Sequence, residues 1–278
     1  MKSAFLVVAL CLFMHSNMHA QDILIHKTDG TVLTFPLSAI DSLTFFFKVE
    51  GFLCGYSTVE DYDGNIYSTV VMGDQCWLGQ NLRTTHYNSG DLIEIPGSDN
   101  AAWMENTSGA LSWYGNDESW KPVYGALYNY HAVVNPNGIC PVGWHVPTDS
   151  EWNMLVDYVV AQGHANGIGN ANGAGNAIKS CRKEGTPFGG DCNTEDHPRW
   201  NPDVKHHGFD AFGFGGFAPG YRAYFGPFLT MGMRGYHWTT TEQGESNAKA
   251  WVLVYNNGAI NPESGNKNNG YPVRCVKD

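Results

Sequence analysis

Basic residues are scarce in this 278-residue chain. It contains 16 Lys and Arg against 27 Asp and Glu, which gives a formal net charge of −11. A protein that binds nucleic acid or an anionic membrane surface through a broad basic face needs the opposite balance. The composition therefore argues against a nucleic-acid partner and favours an ordinary soluble, acidic surface.

Long hydrophobic runs are also lacking. The apolar stretch from Ala4 to Met14, within "MKSAFLVVALCLFMHSNMHAQD", is too short to cross a bilayer. Lys2 before this stretch and the small and polar residues after it are typical of a secretory signal peptide cleaved near Ala20–Gln21. We expect residues 1–20 to be a signal peptide, no transmembrane segment, and a mature chain that is secreted, extracellular, at the cell surface or periplasmic.

Familiar catalytic and metal-binding motifs are missing as well. The chain has neither a G-x-S-x-G elbow nor an H-E-x-x-H helix. A calcium loop beginning at Asp61 is not supported, because Ile66 stands where an EF-hand needs Gly and Met72 where it needs Glu. The pair Asp63–Gly64 instead predicts a two-residue hairpin turn. We expect no catalytic residue, no cofactor and no metal.

Cysteine is the exception to this list of absences. Six cysteines follow the signal peptide, namely Cys54, Cys76, Cys140, Cys181, Cys192 and Cys275. An even number in an exported chain favours disulfides, although six cysteines allow 15 pairings. Cys181 and Cys192 flank a short loop with Gly and Pro and are candidates for a local bridge. A zinc site using these cysteines with His197, His206 or His207 is a weaker alternative, because no recognised ligand spacing is present.

The residues that are abundant indicate short strands and tight turns. Gly numbers 33 and aromatic residues make up 13% of the chain. Residues 21–50 are predicted to form a small β arm, in which "ILIHK" and "TVLTF" flank a Thr28–Gly30 turn. This arm is too small for its own core. All nine tryptophans lie between Trp77 and Trp251, so the main domain is expected at 51–278.

The stretch "CPVGWHVPTDSEW" at 140–152 predicts the start of a helix. Thr148 and Glu151 have the spacing of a capping box, which satisfies the first free backbone N–H groups of a helix. Apolar residues then follow at helical spacing, namely Trp152, Leu155, Val156 and Val159. This pattern favours a structural role over an active site.

Two segments are rich in Gly and Asn. Residues 163–176 are predicted to be a mobile surface loop. Residues 256–269 contain six asparagines and are predicted to be exposed, because buried amides must all find hydrogen-bond partners. They form either a solvated hairpin or a ligand-contact surface. The candidate ligand-binding residues are Trp238, Tyr255, Asn256, Asn257, Asn261, Asn266, Asn268 and Asn269.

Several motifs in a fixed order resemble the Fibrobacter succinogenes major paralogous domain. They are "DGNIYSTVVMGDQCWLGQNLRTT", "GALYNYHAVV", "CPVGWHVPTDSEW", "FAPGYR", "GYHWTTTE" and "NGYPVRCVKD", and they span roughly residues 51–278. Shorter pieces are similar to the formylglycine-generating-enzyme branch of the C-type lectin-like fold. The end of the arm, "LSAIDSLTF", resembles a lead-in of exported Bacteroidetes proteins.

The resemblance implies an α+β, C-type lectin-like domain with short irregular antiparallel strands and few helices, preceded by the β arm. It also implies a disulfide between Cys140 and Cys275, which leaves Cys54 to pair with Cys76. The chain lacks the late cysteine pair that holds copper in the oxidase branch. It also lacks the E-P-N, Q-P-D and W-N-D motifs of calcium-dependent sugar binding.

These features favour a non-catalytic surface or secreted binding or adhesion module with an extracellular glycan or protein ligand. The alternative is a structural or assembly component of a surface appendage, in which the arm adds a strand to a neighbour. An enzyme is the least favoured class. The resemblance adds some weight to the asparagine-rich segment, because that segment is diversified in variable proteins of the same fold.

The capping box generates the first prediction. Replacing Thr148 with Ala removes an acceptor for a backbone N–H and should destabilise the protein by about 1 kcal/mol. Thermal or denaturant unfolding measures this cost, and ligand affinity should not change. A large loss of binding at an unchanged melting temperature would instead place this turn in a binding site.

Overall fold

The computed structural model describes residues 22–26, 31–36, 51–180, 200–201, 203–206 and 208–278. The chain divides into two compact units, Met1–Gly51 and Phe52–Asp278.

The strands are β1 Asp22–His26, β2 Val32–Pro36, β3 Val59–Glu60, β4 Ile66–Tyr67, β5 Thr69–Met72, β6 Gln75–Leu78, β7 Leu111–Ser112, β8 Leu127–Tyr128, β9 Trp144–His145, β10 Tyr221–Arg222, β11 Phe228–Leu229, β12 Arg234–Glu242, β13 Asn247–Val254, β14 Ile260–Asn266 and β15 Val276–Lys277. The α-helices are α1 Asn100–Glu105, α2 Lys121–Tyr124, α3 Tyr130–Val133, α4 Asp149–Ala161 and α5 Ala174–Ile178, and 3₁₀ turns occupy Tyr114–Asn116 and Glu118–Trp120.

The first unit contains the predicted β arm. Strands β1 and β2 pair antiparallel, from Asp22 opposite Pro36 to His26 opposite Val32. The Thr28–Gly30 turn lies outside the described residues. A hairpin at this position confirms the expectation of short strands in the arm.

The second unit is α+β, with few helices and short antiparallel strands in several small sheets, as predicted. The larger sheets have the strand orders β5-β6-β15-β9 and β12-β13-β14. Three two-stranded sheets, β3-β4, β7-β8 and β10-β11, complete the described strands of this unit. Most of the chain between them is irregular, so many backbone groups find partners outside regular strands and helices.

The last strand lies inside its sheet. Val276 of β15 pairs with Trp77 on one side and with His145 on the other. A disulfide joins Cys275, next to this strand, to Cys140, which is 135 residues earlier. In the chain-entropy model, closing a loop of that length stabilises the fold by about 4–5 kcal/mol.

The disulfides confirm two of the three expected pairings. Cys140 is bonded to Cys275, and Cys54 is bonded to Cys76. Cys181 and Cys192 lie outside the described residues, as do His197 and His207 of the alternative zinc site.

The β12-β13-β14 sheet lies between two hydrophobic cores. On β13, Ala250 and Val252 belong to the cluster that contains Trp238 and the Cys140–Cys275 bridge. Trp251 and Leu253, which alternate with them, belong to the cluster around Trp152. Because successive side chains point to opposite faces of a strand, both faces of β13 are covered. This explains the nearly continuous apolar sequence "AWVLV".

Helix α4 begins with the predicted capping box. Thr148 Oγ1 accepts a hydrogen bond from the Glu151 backbone N–H at 3.2 Å, and Glu151 Oε2 accepts from the Thr148 backbone N–H at 2.7 Å. The four predicted apolar residues, Trp152, Leu155, Val156 and Val159, are all buried. The structure thus confirms the helix and its inward face.

Asp149 fastens the start of α4 to the neighbouring sheet. Its carboxylate accepts from Lys249 Nζ at 2.6 Å and from Trp251 Nε1 at 3.0 Å. Its backbone N–H donates to the Thr241 hydroxyl, which lies in an irregular part of β12 where the pairing register shifts. Thr241 therefore contacts the first residue of the helix.

One local prediction is wrong. The loop between β3 and β4 is a three-residue turn, Tyr62–Gly64, closed by a hydrogen bond from Asp61 N to Asn65 O. The Asp61 side chain accepts from the backbone N–H groups of Asp63 and Asn65 and so favours this wider turn over the predicted two-residue turn. Gly64 has φ +81°, which suits the left-handed position of such turns.

The loop 163–176 is anchored, although its composition predicts mobility. The Asn166 amide donates to Ile260 O and accepts from Ile260 N, as a neighbouring strand would. Gly258 N donates to Ile168 O, and Gly175 N donates to Gly258 O. The amides that suggested flexibility instead hold this loop against the β13–β14 turn.

His237 is a polar residue inside the core. It lies on β12, has no exposed surface, and packs against Trp152 with ring centroids 5.2 Å apart. Neither ring nitrogen has a hydrogen-bond partner within the described part of the chain. Burial, reinforced by the Arg274 charge, lowers the pKa of His237 well below its usual range, so this imidazole is neutral.

Because His237 is buried in its neutral form, we expect folding stability to decrease at acid pH. The unfolded chain takes up a proton at His237 as the pH falls below about 6.5, while the folded protein does not. Folding stability should therefore fall at acid pH by up to about 1.4 kcal/mol per pH unit from this group. His237→Phe should remove that contribution, so the variant should gain stability over the parent as the pH falls. Denaturant unfolding between pH 7.5 and 5 measures the difference, and parallel curves would contradict the prediction.

Candidate ligand-contact surface

The predicted asparagine surface is divided between two ends of one hairpin. Tyr255, Asn256 and Asn257 lie at the turn between β13 and β14, while residues 266–269 follow the far end of β14. The seven residues of β14 separate these ends by roughly 20 Å at 3.3 Å per residue. Asn261 lies between them, opposite Val252. The structure does not gather the candidate residues into one patch.

Two of the candidates are not exposed. Trp238 has no exposed surface, and its Nε1 donates to Tyr128 O at 2.8 Å inside the core. Asn269 is also buried. The predicted exposure of residues 256–269 is wrong for Asn269, and Trp238 offers no surface for the predicted ligand contact. Each side chain has found the internal partners that a buried polar group requires.

Several of the other amides hold the backbone in place. Asn257 Oδ1 accepts from Ala259 N, and Asn266 Oδ1 accepts from Asn268 N. Asn268 Nδ2 donates to the carbonyl oxygens of Met104 and Asn106, which joins this turn to α1. Asn256 is the exposed member of the set.

An exposed aromatic pair lies next to the buried Asn269. Tyr224 and Phe225 are the central residues of a tight turn between β10 and β11, closed by a hydrogen bond from Gly226 N to Ala223 O. Tyr224 is 46% exposed and Phe225 is 50% exposed. Their rings meet edge to face, 5.0 Å apart at 74°. We call Tyr224 and Phe225 the aromatic tip.

Buried polar contacts fix the backbone of the aromatic tip. Asn269 Oδ1 accepts from Tyr224 N at 2.9 Å, and Arg222 Nε donates to Gly226 O at 3.0 Å. Gly226 has φ +112°, and a Cβ there would lie 2.2 Å from the Asn100 side chain. The tip is therefore tied to both the 266–270 turn and α1.

Arg222 is the charged group beneath the tip. It has no exposed surface, lies 4.3 Å above the Trp103 ring, and donates through Nη2 to Asn100 Oδ1. Burial lowers the pKa of Arg222 to about 10, an effect that the Asp99 charge partly offsets. The side chain therefore remains a cation, and two of its nitrogens bond the tip and its neighbour on α1.

Sequence reasoning missed the aromatic tip. Its signal is present in "AYFGP", where two aromatic residues occupy the centre of a turn that ends in Gly-Pro. Turn centres usually carry Gly, Asn, Asp or Ser. The high number of asparagines instead led to a predicted ligand surface at residues whose side chains form hydrogen bonds within the protein.

Comparison with known proteins identifies the family. The model of the Fibrobacter succinogenes major domain matches residues 70–277, which is most of the chain. The chain belongs to the Fibrobacter succinogenes major domain family. Searches of curated proteins and of solved structures each returned no match.

The described part of this major domain contains no group of three or more His, Cys, Asp or Glu residues that is placed to hold a metal ion. A smaller cluster surrounds Asp63, whose carboxylate accepts from the Thr85 hydroxyl at 2.8 Å and contacts His86 Nδ1. Burial opposes ionisation of Asp63, but these hydrogen bonds prevail and lower its pKa. The arrangement orients His86 beside the β3–β4 turn.

A second titratable cluster connects the C-terminus to α4. His145 Nδ1 lies 2.6 Å from Asp278 Oδ1, and His145 Nε2 lies 2.7 Å from Glu151 Oε1. Both ring nitrogens can donate to a carboxylate only when the imidazole is protonated. Burial opposes the charge, but the hydrogen bonds to Asp278 and Glu151 outweigh it and raise the pKa of His145.

The His145 cluster is expected to stabilise the folded state over a defined range of pH. The raised pKa of His145 gives stabilisation that is present below about pH 6.5 and is lost as the pH rises through the folded value. Burial also opposes ionisation of Glu151, but hydrogen bonds from Thr148 and His145 lower its pKa, so its contribution is lost as the pH falls. His145→Gln should therefore lower the melting temperature most near pH 5–6 and progressively less towards pH 8.

Thermal unfolding from pH 4.5 to 8.5 tests this window. His164→Gln is the control, because within the described part of the chain its ring bonds to Asn172 and not to a carboxylate. An equal effect of His145→Gln at pH 5.5 and pH 8.5 would show that the His145 charge is not what stabilises the cluster.

Proposed function

We propose that this chain is an exported, non-catalytic binding module that contacts an extracellular glycan or protein ligand through the aromatic tip. The observation that carries the proposal is the exposure of Tyr224 and Phe225 on a turn whose backbone is fixed. Exposing two large rings side by side gains nothing for folding. Exposed apolar patches on soluble proteins commonly mark contact sites.

Export is supported by the signal-like sequence at residues 1–20 and by the two disulfides, which persist in oxidising compartments. No helix in the described residues is both long enough and apolar enough to span a membrane. We place the mature protein outside the cytoplasm, either secreted or at the cell surface.

A C-type lectin-like fold forms part of the same proposal. Support comes from the bridge between the segment before α4 and the end of the chain, together with the position of β15 between β6 and β9. In a C-type lectin-like fold the irregular connections after the first long helix, here α4, are available for ligand contact. The aromatic tip lies on one of these connections.

The alternative function is assembly through the arm. Strands β1 and β2 pair with each other as a two-stranded sheet. A two-stranded hairpin is marginal alone and offers edges for a further strand. If assembly is the function, the full chain should form stable oligomers that disappear when residues 22–36 are removed from the expressed protein.

The binding proposal is tested with the mature full-length chain. Retention on immobilised mucin, which offers both glycan and protein, should be saturable and should be lost when Tyr224 and Phe225 are both replaced by Ala. Tyr56→Ala is the matched control, because Tyr56 is an 86% exposed aromatic residue outside the tip. These exposed substitutions should change stability by no more than about 0.5 kcal/mol each.

Two results would contradict the proposal. One is retention that survives the double substitution at an unchanged melting temperature. The other is release of soluble fragments from the mucin by the purified chain, because turnover is incompatible with a non-catalytic module.

A further inference from the structure

We infer that the aromatic tip binds an uncharged oligosaccharide, with a sugar ring stacked on Tyr224 or Phe225. This inference rests on the proposed function, and it names the class of ligand for the same surface. It follows from the area, the charge and the rigidity of the surface.

The apolar area of the tip is far smaller than one side of a protein interface. An aromatic side chain presents about 150–250 Å² when fully exposed, so two rings that are about half exposed offer roughly 200 Å² together. A stable protein–protein interface covers about 800 Å² on each partner. A pyranose ring is similar in size to a phenyl ring, so one or two sugar units match the available area.

The shape of the tip also suits a sugar. The rings meet at 74°, so the face of one ring stands beside the edge of the other. A pyranose has an apolar face formed by its C–H groups and a rim of hydroxyls. One aromatic face can support the C–H surface, while the Tyr224 hydroxyl remains available to the rim.

Among the described residues, the exposed charges at the two ends of α1, next to the tip, are negative. Asp99 and Glu105 lie exposed at the two ends of α1, whose Trp103 donates to Ala223 O beneath the tip. Two cations among the described residues are not available to a ligand, because Arg222 is buried and Lys267 pairs with Glu242 at 2.9 Å. With a net charge of −11 on the whole chain, an acidic polysaccharide would be repelled. An uncharged ligand avoids this cost.

The fixed backbone reduces the entropic cost of binding. The tip is held by hydrogen bonds from Tyr224 N to Asn269 and from Arg222 to Gly226 O. Binding to a preorganised surface loses less conformational freedom than binding to a loose loop. A small contact area can therefore give measurable affinity, especially when a polysaccharide repeats the same unit.

Affinity electrophoresis of the mature full-length chain tests this inference. Native gels contain a neutral polysaccharide (mixed-linkage β-glucan, xyloglucan or galactomannan), an acidic one (polygalacturonate or alginate), or none. At least one neutral polysaccharide should retard the protein, and the acidic ones should not. At least one of Tyr224→Ala and Phe225→Ala, the one that removes the stacked ring, should weaken the affinity about tenfold.

Matched variants separate stacking from folding. Tyr224→Trp keeps a flat ring and should retain binding, and Tyr56→Ala should behave as the parent. Melting temperatures of all variants must agree before their affinities are compared.

The outcomes distinguish this inference from the function on which it rests. Two outcomes would overturn the inference of an uncharged sugar ligand but agree with a binding module. One is tip-dependent retardation by acidic polysaccharides alone. The other is tip-dependent binding to enzymatically deglycosylated mucin. Failure to bind any neutral or acidic polysaccharide and any form of mucin would overturn both. Binding to a neutral polysaccharide that neither alanine substitution weakens would place the sugar site elsewhere and so overturn the inference.

Discussion

The burial of Arg274 is the constraint on which the domain depends. All five of its guanidinium N–H donors are used, on the carbonyl oxygens of Leu78, Phe214 and Gly215 and on Asn81 Oδ1. A buried charge without such partners costs several kcal/mol. Burial lowers the pKa of Arg274 to about 9, with Asp210 opposing that shift, so the group stays charged. Two separate stretches of chain, 78–81 and 214–215, must therefore converge on one side chain near the C-terminus.

This arrangement explains how a chain with so little regular structure can fold to one state. The carbonyl groups that strands and long helices would satisfy among themselves are here satisfied by side chains from distant parts of the sequence. The Cys140–Cys275 bridge next to Arg274 fixes the same strand covalently. Asp149 and Asn166 act similarly, because each holds a loop or helix end against the β12-β13-β14 sheet.

Sequence reasoning succeeded where a signal is local. The capping box of Thr148 and Glu151, the apolar face of α4 and the arm hairpin depend on spacing within a few residues, and the resemblance supplied the Cys140–Cys275 pairing. Sequence reasoning failed where the contact that determines the environment of a side chain comes from a residue distant in sequence. Asparagine beside glycine suggested exposure and mobility, but Asn269 and Asn166 bond to residues far away in sequence. Composition reveals the capacity of an amide to form hydrogen bonds, and only the fold shows which partners it meets.

Arg222 and Arg274, both buried, show how the scaffold and the aromatic tip are separated. Every N–H donor of Arg274 bonds to a group in the interior. Arg222 instead donates through Nε to Gly226 O and through Nη2 to Asn100, and so holds the aromatic tip from beneath. The backbone of the tip is thus part of the scaffold, while the Tyr224 and Phe225 side chains contribute little to the core. On the proposed function, substitution of those two side chains would change what the surface binds at little cost in stability. The same buried contacts would then support a different ligand surface on one fold.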